Sequence, residues 1–200
     1  KAVTVHPLRT AADVEADLDA LVLPGGESTT MRLATASGGL LEAIFAWMEA
    51  HPDRPVLGTC AGAILMAMPG EGRTAFLEID VERNGWGRQR RSFEADLAVS
   101  LECPSPTEAM QAVRSTLEGH TALPVGGEEA TGETMHGVFI RAPRFIDEPR
   151  RGKVIARLDG EPVGILDGAR LALTCHPELT HDRRFHRWLL SEAASHKAGR

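Results

Sequence analysis

The sequence contains no long hydrophobic run. Its apolar stretches, such as residues 63–68, are far shorter than the roughly 20 consecutive apolar residues that cross a bilayer. Residues 1–8 include His6 and Pro7 and lack the apolar core of a secretory signal peptide. The sequence therefore predicts neither a membrane helix nor secretion.

Cysteine is also scarce. Three cysteines among 200 residues are too few and too scattered for a disulfide framework. Their small number favours a reducing, cytoplasmic location in which each thiol can react. The eight histidines include no pair four residues apart with an acidic third ligand, so no metal site is predicted.

Neither sign of charge dominates the chain. The 22 Lys and Arg against 28 Asp and Glu give a net charge of −6, which argues weakly against nucleic acid as the main partner. Arg88, Arg90 and Arg91 lie close to Trp86 and could suggest a nucleic-acid site. With this net charge, a solvated turn is the favoured interpretation.

The composition is that of an ordinary globular domain. Hydrophobic residues make up 42% and charged residues 25% of the chain, and the length suits one core. Short apolar runs that end in Pro or Gly alternate with helical periodicities, which predicts one α/β domain with a mostly parallel sheet. Strands are expected at 2–5, 20–23, 55–58, 79–81, 138–140, 154–158, 163–166 and 171–174, and helices after Ser28, at 61–68 and at 182–194.

Two local signals refine the helices. Gly38-Gly39 is expected to break the helical pattern that follows Ser28 into two helices. Residues 105–108 form a capping box with Pro at the first helical position, which predicts a short helix that ends at Gly119. Residues 124–133 are rich in Gly, Glu and Thr, so a mobile loop is predicted there.

The segment Gly58-Thr59-Cys60-Ala61-Gly62 lies between a predicted strand and an apolar helix. This is the context of a nucleophile elbow, in which Ser or Cys occupies a sharp turn flanked by glycines. A cysteine at a helix N-terminus also gains thiolate character. The alternative is a small buried cysteine in a packing turn.

A cysteine nucleophile needs a base and a group that orients the base. Cys175-His176-Pro177-Glu178 supplies both directly after an apolar strand, at the sheet edge where α/β active sites gather. Alone, a His before Pro is more often a turn residue with satisfied hydrogen bonds. Cys175 lacks the glycine turn and is interpreted as a packing residue.

A third segment, residues 24–30, follows a predicted strand and opens a helix. Its Gly25 and Gly26 allow backbone N–H groups to face a bound oxyanion or carboxylate. The same loop could hold a phosphate, or could be only a turn with Ser28 as helix cap.

Together these segments resemble the class I glutamine amidotransferases, and more narrowly the glutaminase subunits of pyridoxal 5′-phosphate synthase. Five ordered motifs carry the resemblance: LPGGESTTM (23–31), VERN (81–84), SFEADL (92–97), GVFIRAP (137–143) and HPELT (176–180). The middle three separate this subunit from glutaminases of other pathways. A glutaminase for another biosynthetic synthase, or a truncated chain that only binds its partner, is the alternative.

The resemblance implies a catalytic triad of Cys60, His176 and Glu178 that hydrolyses L-glutamine. It implies an oxyanion hole built from the backbone N–H groups of Gly26 and Ala61, and no cofactor or metal. The residues it places around L-glutamine are Gly25, Gly26, Glu27, Arg83, Ile140 and Arg141. An arginine can pair with the substrate α-carboxylate and Glu27 with its α-ammonium.

The resemblance also implies a single domain over residues 1–200, folded as a flavodoxin-like three-layer α/β/α sandwich. The partner it implies is a barrel-shaped synthase subunit of the PdxS type in a 12+12 complex, with no nucleic acid or membrane. That partner combines the ammonia with ribose 5-phosphate and glyceraldehyde 3-phosphate.

Two departures from the family pattern are expected to matter. Members begin with another strand and a Leu-Gln-Gly loop before the position of Lys1, so a first strand is expected to be missing here and the middle of the sheet to be exposed. Residues 105–133 are expected to be an insertion that leaves the triad intact.

Overall fold

The computed structural model describes residues 3–15, 17–86, 92–102, 105, 107–116, 118–119, 125 and 132–198. The strands are β1 Val3–Val5, β2 Leu21–Leu23, β3 Val56–Thr59, β4 Asp80–Glu82, β5 Ser92–Val99, β6 Val113–Ser115, β7 Thr134–Ile140, β8 Arg144–Ile146, β9 Lys153–Leu158, β10 Glu161–Asp167 and β11 Arg170–Leu173. The α-helices are α1 Ser28–Ala36, α2 Leu40–Ala50, α3 Ala61–Ala67, α4 Glu108–Gln111 and α5 Arg184–Ala198.

Seven strands form the central sheet in the order β2-β3-β11-β10-β9-β5-β7. Successive residues of β3 face opposite sides, so Val56 packs in a core with α2 and α3, whereas Leu57 packs in a second core with α5. Helices therefore cover both faces of the sheet, and the predicted three-layer α/β architecture is confirmed.

The sheet is mixed, which corrects the prediction of a mostly parallel one. The strands β2, β3 and β11 are parallel to one another, whereas the pairs from β11 to β7 are antiparallel. The pair β9–β10 is antiparallel because the connection between the two strands is short, and Asp159 and Gly160 there adopt φ values of 50° and 87°. Two residues with positive φ form a tight hairpin turn, and such a turn reverses the chain direction.

The predicted break between the first two helices is confirmed, and helices α2 and α5 contribute side chains to the core. The helical pattern is interrupted at Gly38-Gly39, and α2 begins directly afterwards. The apolar face of α2 is buried because it packs on the sheet. Phe185 and Trp188 of α5 are core residues, with exposed fractions of 0% and 6%.

The predicted helix from residue 105 to Gly119 is wrong in its extent. Helix α4 ends at Gln111, and Val113–Ser115 forms strand β6 instead. Strand β6 pairs in parallel with β1, and the two form a separate sheet outside the central one. This long-range pairing outweighs the local helix signal. Apart from Val125, Gly132 and Glu133, the predicted loop at 124–133 lies outside the described residues, as do Arg88, Arg90 and Arg91.

The part of the chain described above includes no helix that is long and apolar enough to span a bilayer. Within the same residues, no group of three or more His, Cys, Asp or Glu side chains is arranged to hold a metal ion.

Candidate active site

The site lies at the carboxyl ends of the adjacent strands β3 and β11. Their register pairs Thr59 with Leu173, and the Cys60 N–H donates to the Leu173 carbonyl at 2.8 Å. Residues that follow two adjacent parallel strands emerge at the same edge of a sheet. The register therefore places Cys60 and His176 at one edge, although they are far apart in the sequence.

Cys60 occupies a strained turn, with φ 48° and ψ −104°, directly before α3. A non-glycine residue in such a conformation costs about 1–3 kcal/mol. Both flanking glycines are closely packed: a Cβ on Gly58 would lie 2.5 Å from Met66 Sδ and 3.0 Å from the Gly62 carbonyl carbon, and one on Gly62 only 2.0 Å from the Leu23 carbonyl oxygen. The surrounding backbone thus fixes the sharp turn that the sequence pattern predicts.

His176 is held from two sides. Its Nδ1 lies 2.7 Å from Glu178 Oε1, and its backbone N–H donates to the Val138 carbonyl at 2.8 Å. A 3₁₀ turn, Pro177–Leu179, carries Glu178 back toward the ring. Because Nδ1 is engaged by the carboxylate, Nε2 is the ring nitrogen left for proton transfer at Cys60.

Both members of this pair have shifted pKa values. Hydrogen bonds to Cys60 first and to Glu178 second raise the pKa of His176 to about 9. Burial raises the pKa of Glu178, but the hydrogen bond from His176 and one from a backbone N–H outweigh it, so the net shift is downward. Each shift favours a charged imidazolium–carboxylate pair at neutral pH.

The glycine loop, residues 24–27 between β2 and α1, packs directly on the side chains of Cys60 and His176. A Cβ on Gly25 would lie 2.3 Å from His176 Cε1 and 3.4 Å from Cys60 Cβ. Gly26 follows with φ 147°, a conformation that L residues rarely adopt. The loop thus brings its backbone next to the thiol, as an oxyanion hole requires.

Glu27 caps helix α1. Its carboxylate accepts from Thr29 N at 3.0 Å, from Thr30 N at 2.6 Å and from Thr30 Oγ1 at 2.7 Å. The hydroxyl bond and then the backbone bonds lower the pKa of Glu27 to about 2. The expectation that Ser28 could be the cap is wrong, since Ser28 is the first helical residue and is buried.

The other predicted glutamine contacts come from two turns. Arg83 follows β4, and its Nη1 donates to Thr29 Oγ1 at 3.0 Å, next to the glycine loop. Ile140 ends β7, and its carbonyl oxygen lies 4.0 Å from Cys60 Sγ. Arg141 follows with φ 45° and is exposed. The structure thus brings Arg83 to the glycine loop and Ile140 to the thiol.

Comparison with known proteins agrees with this geometry. A family model described as the SNO glutamine amidotransferase family matches residues 4–112 and 127–195. The chain belongs to this family. The match shows that it is a glutamine amidotransferase, and it passes over residues 113–126, which lie within the predicted insertion.

Named relatives extend the match. A Halalkalibacterium halodurans protein named pyridoxal 5′-phosphate synthase subunit PdxT is 38% identical over 178 residues, covering 87% of this chain and 75% of the relative. A Brevibacillus brevis protein of the same name is 33% identical over 199 residues, covering 98% and 87%. The resemblance to these synthase subunits is therefore confirmed.

Solved structures agree on the fold. A crystal structure titled as a glutamine amidotransferase is 36% identical, with a TM-score of 0.68 over 94% of this chain and 85% of that one. The structure of a putative GMP synthase subunit from Thermoplasma acidophilum has a TM-score of 0.59 over 94% and 78% but is only 17% identical, so it supports the fold alone.

Cys175, the second described thiol of this glutamine amidotransferase, is unreactive because it is buried. Cys175 is fully buried, and burial raises its pKa to about 12. A thiol in that state supplies almost no thiolate at neutral pH. Burial therefore supports the interpretation of Cys175 as a packing residue.

Sequence reasoning missed three contacts that hold the site. The carbonyls of Leu173 and Val138 fix the backbone of Cys60 and His176, and no side-chain pattern identifies a backbone acceptor. The Thr29 hydroxyl that receives Arg83 was also missed. Its only signal is proximity to Glu27, because the partner arginine is 54 residues away.

Proposed function

We propose that the chain is the glutaminase subunit of a pyridoxal 5′-phosphate synthase. It hydrolyses L-glutamine to L-glutamate and ammonia and passes the ammonia to a synthase subunit. The observation that carries the chemistry is a strained Cys60 beside a His176 whose Nδ1 is bonded to Glu178 at 2.7 Å. The names of the relatives support the assignment to this synthase.

The first half-reaction uses the proton on His176. The Cys60 thiolate attacks the carboxamide carbon of glutamine, and the carbonyl oxygen becomes an oxyanion facing the N–H groups of Gly26 and Ala61. The tetrahedral intermediate collapses as His176 donates its proton to the departing nitrogen. Ammonia leaves, and a γ-glutamyl thioester remains on Cys60. The raised pKa of His176 keeps this proton available at neutral pH.

The second half-reaction reverses the role of the base. Neutral His176 takes a proton from water, and the resulting hydroxide attacks the thioester carbon. The C–S bond breaks, glutamate leaves, and the thiolate and imidazolium are restored. Glu178 stabilises the imidazolium in both halves because its carboxylate stays bonded to Nδ1.

Substrate recognition uses charges around the loop. Arg83 and Arg141 supply guanidinium groups for the α-carboxylate, and Glu27 supplies an anion for the α-ammonium. Glu27 retains its charge because its hydrogen bonds hold the pKa at about 2. The capping bonds also fix the carboxylate before substrate arrives.

The ammonia acceptor is a barrel-shaped synthase subunit, in a 12+12 assembly. It combines ammonia with ribose 5-phosphate and glyceraldehyde 3-phosphate. Binding to this partner raises the glutaminase activity.

Glutamate release tests the proposal, measured with and without the synthase subunit. Wild-type chain should hydrolyse glutamine, more strongly with the partner, and Cys60→Ala should abolish release. Cys175→Ala is the matched control and should retain activity, because that thiol is buried away from substrate. Glutamate release by Cys60→Ala in the presence of the partner would overturn the assignment.

A further inference from the structure

Trp86 connects the two turns that carry the predicted arginines. It lies three residues after Arg83, and its Nε1 donates to the Pro143 carbonyl at 3.1 Å, two residues after Arg141. The antiparallel pairing of β4 with β8 already places Glu82 opposite Arg144. The bond from Trp86 to Pro143 adds a further contact between the two turns, beyond the last residue pair of β4 and β8.

The indole ring lies on an aromatic cluster. It contacts Phe93 and Phe139 edge-on, at centroid distances of 5.4 and 5.7 Å and interplanar angles of 67° and 63°. Phe93 and Phe139 are themselves stacked at 4.6 Å and 6°. Phe139 is fully buried and directly precedes Ile140. The tryptophan is therefore anchored to the strand end that faces Cys60.

Arg144 packs on the other side of the same turn. Its guanidinium lies 5.9 Å from the Trp86 ring centroid and makes a bidentate pair with Glu161 at 2.7 and 2.6 Å. A Cβ on Gly85 would lie 2.5 Å from Arg144 Cβ. The turn thus rests directly on Arg144, with no space between them.

Both turns need such support because their backbones are strained. Asn84 has φ 53° and Arg141 has φ 45°. Residues with a Cβ seldom adopt this region, and they hold it only where surrounding contacts enforce it. Trp86 contacts or adjoins both turns, so its loss would release both.

We propose that Trp86 is a positioning residue for glutamine: it joins the Arg83 and Arg141 turns and fixes the spacing of the two guanidinium groups. This inference rests on the proposed function. Trp86 contacts neither the Cys60 turn nor His176 through the bonds and ring contacts described, so its effect should fall on substrate binding. The signature is a raised KM with little change in kcat.

Steady-state kinetics with two substitutions test the inference. Trp86→Leu should raise KM for glutamine about tenfold, because it removes the indole hydrogen bond and the ring contacts together. Trp86→Phe keeps a ring and should raise KM only about two- to threefold, since only the hydrogen bond to the Pro143 carbonyl is lost. In both variants kcat should stay within about twofold of wild type.

Trp47→Leu is the matched control. Trp47 is buried in α2 and contacts His51 and Arg54, at ring distances of 5.1 and 5.5 Å. It should lower the melting temperature and leave KM unchanged. If Trp47→Leu raises KM as much as Trp86→Leu, or if Trp86→Leu lowers kcat with KM unchanged, the positioning role is refuted.

Cys60 alkylation separates this inference from the proposed function. A diazoketone analogue of glutamine carries the α-carboxylate, whereas iodoacetamide does not, and mass spectrometry follows Cys60 with each reagent. The Trp86 variants should react more slowly with the analogue and at the wild-type rate with iodoacetamide. If wild type shows no saturable reaction with the analogue, the proposed function fails. If wild type does and Trp86→Leu matches it, only the positioning role fails.

Discussion

The two halves of the central sheet differ in the atoms that surround two glycines, Gly62 and Gly137. Gly62 lies in α3, beside the parallel strands β2, β3 and β11, and a Cβ there would lie 2.0 Å from the main-chain oxygen of Leu23. Gly137 lies in β7 of the antiparallel half, and the atom nearest to a Cβ there is the side-chain carbon Leu97 Cδ1, at 2.9 Å. Main-chain atoms cannot move aside as side chains can.

The two parts of the proposed site come from different halves of the sheet. Cys60, His176 and Glu178 follow the parallel strands β3 and β11, whose register sets their spacing. The antiparallel half contributes Ile140 and Arg141 from the end of β7. In the proposed mechanism those groups hold the substrate rather than transfer protons, so reactivity depends on one half and recognition on both.

Among the substitutions that compare the two halves, Gly25→Ala should have the largest effect on activity. The new Cβ would lie 2.3 Å from His176 Cε1, so the imidazole must move. A displacement of about 1 Å at a catalytic group lowers kcat about 100-fold. The measurement is kcat for glutamine hydrolysis with the synthase subunit present, together with circular dichroism to establish that the chain is folded.

Gly38→Ala is the matched control, because a Cβ there would meet nothing within 4 Å. It should leave kcat unchanged and alter the free energy of unfolding by less than about 1 kcal/mol. A Gly25→Ala enzyme with wild-type kcat would show that the parallel half tolerates a methyl group beside His176. It would then remove the expected difference between the two halves of the sheet.

Glu178→Gln should have the next largest effect, compared with Glu94→Gln on the antiparallel half. Each carboxylate bonds a histidine, His176 at 2.7 Å and the exposed His136 at 2.9 Å. Loss of a hydrogen bond to a charged group costs about 1.5–3 kcal/mol, which corresponds to about 10- to 100-fold in activity. Glu94→Gln should leave kcat unchanged, because His136 is exposed and lies outside the triad.

The pH dependence of kcat tests the role of Glu178 separately. The pKa of His176 is raised to about 9, so its proton is lost, and kcat should fall, as the pH passes about 9. The contribution of this proton to folding stability is complete below pH 6.5, the ordinary pKa of histidine, and is lost as the pH rises from there through about 9. Without the Glu178 carboxylate, the alkaline limb should move to lower pH. A limb that stays near 9 in Glu178→Gln would contradict the assigned role.

Local sequence patterns predicted the parallel half better than the antiparallel half. The triad was predicted because glycines flank Cys60 and a single proline separates His176 from Glu178, and the structure brings these residues to one edge of the sheet. The mixed sheet was missed although Asp159-Gly160 is a hairpin signal. Strand β6 and the contact of Arg83 with Thr29 depend on partners far away in the sequence, and local periodicity carries no such information.

The third prediction compares stability in the two halves. Gly62→Ala should lower the free energy of unfolding by about 3 kcal/mol, and Gly137→Ala by about 1 kcal/mol, within the range for overpacked cores. The reason is that the Leu97 side chain, whose Cδ1 is nearest to Gly137, can adjust, whereas the Leu23 carbonyl cannot. Urea denaturation measures both. Equal losses would show that the two halves are equally rigid.

The smallest effect is expected from deletion of residues 113–126, which the family model passes over. The Val125 N–H donates to the Met110 carbonyl at 3.0 Å, so the ends of this segment lie side by side and a short linker can join them.

The deletion removes β6, the partner of β1, but no strand of the central sheet. The bonds from Val99 to Glu133 and from Arg184 to Gly132 lie beyond the deleted segment and should be retained. Glutaminase activity with the synthase subunit should therefore stay within about twofold of wild type, since changes in the length of surface loops are well tolerated. Complete loss of activity in a folded deletion variant would show that the segment supports the site, and that neither half of the sheet is sufficient without it.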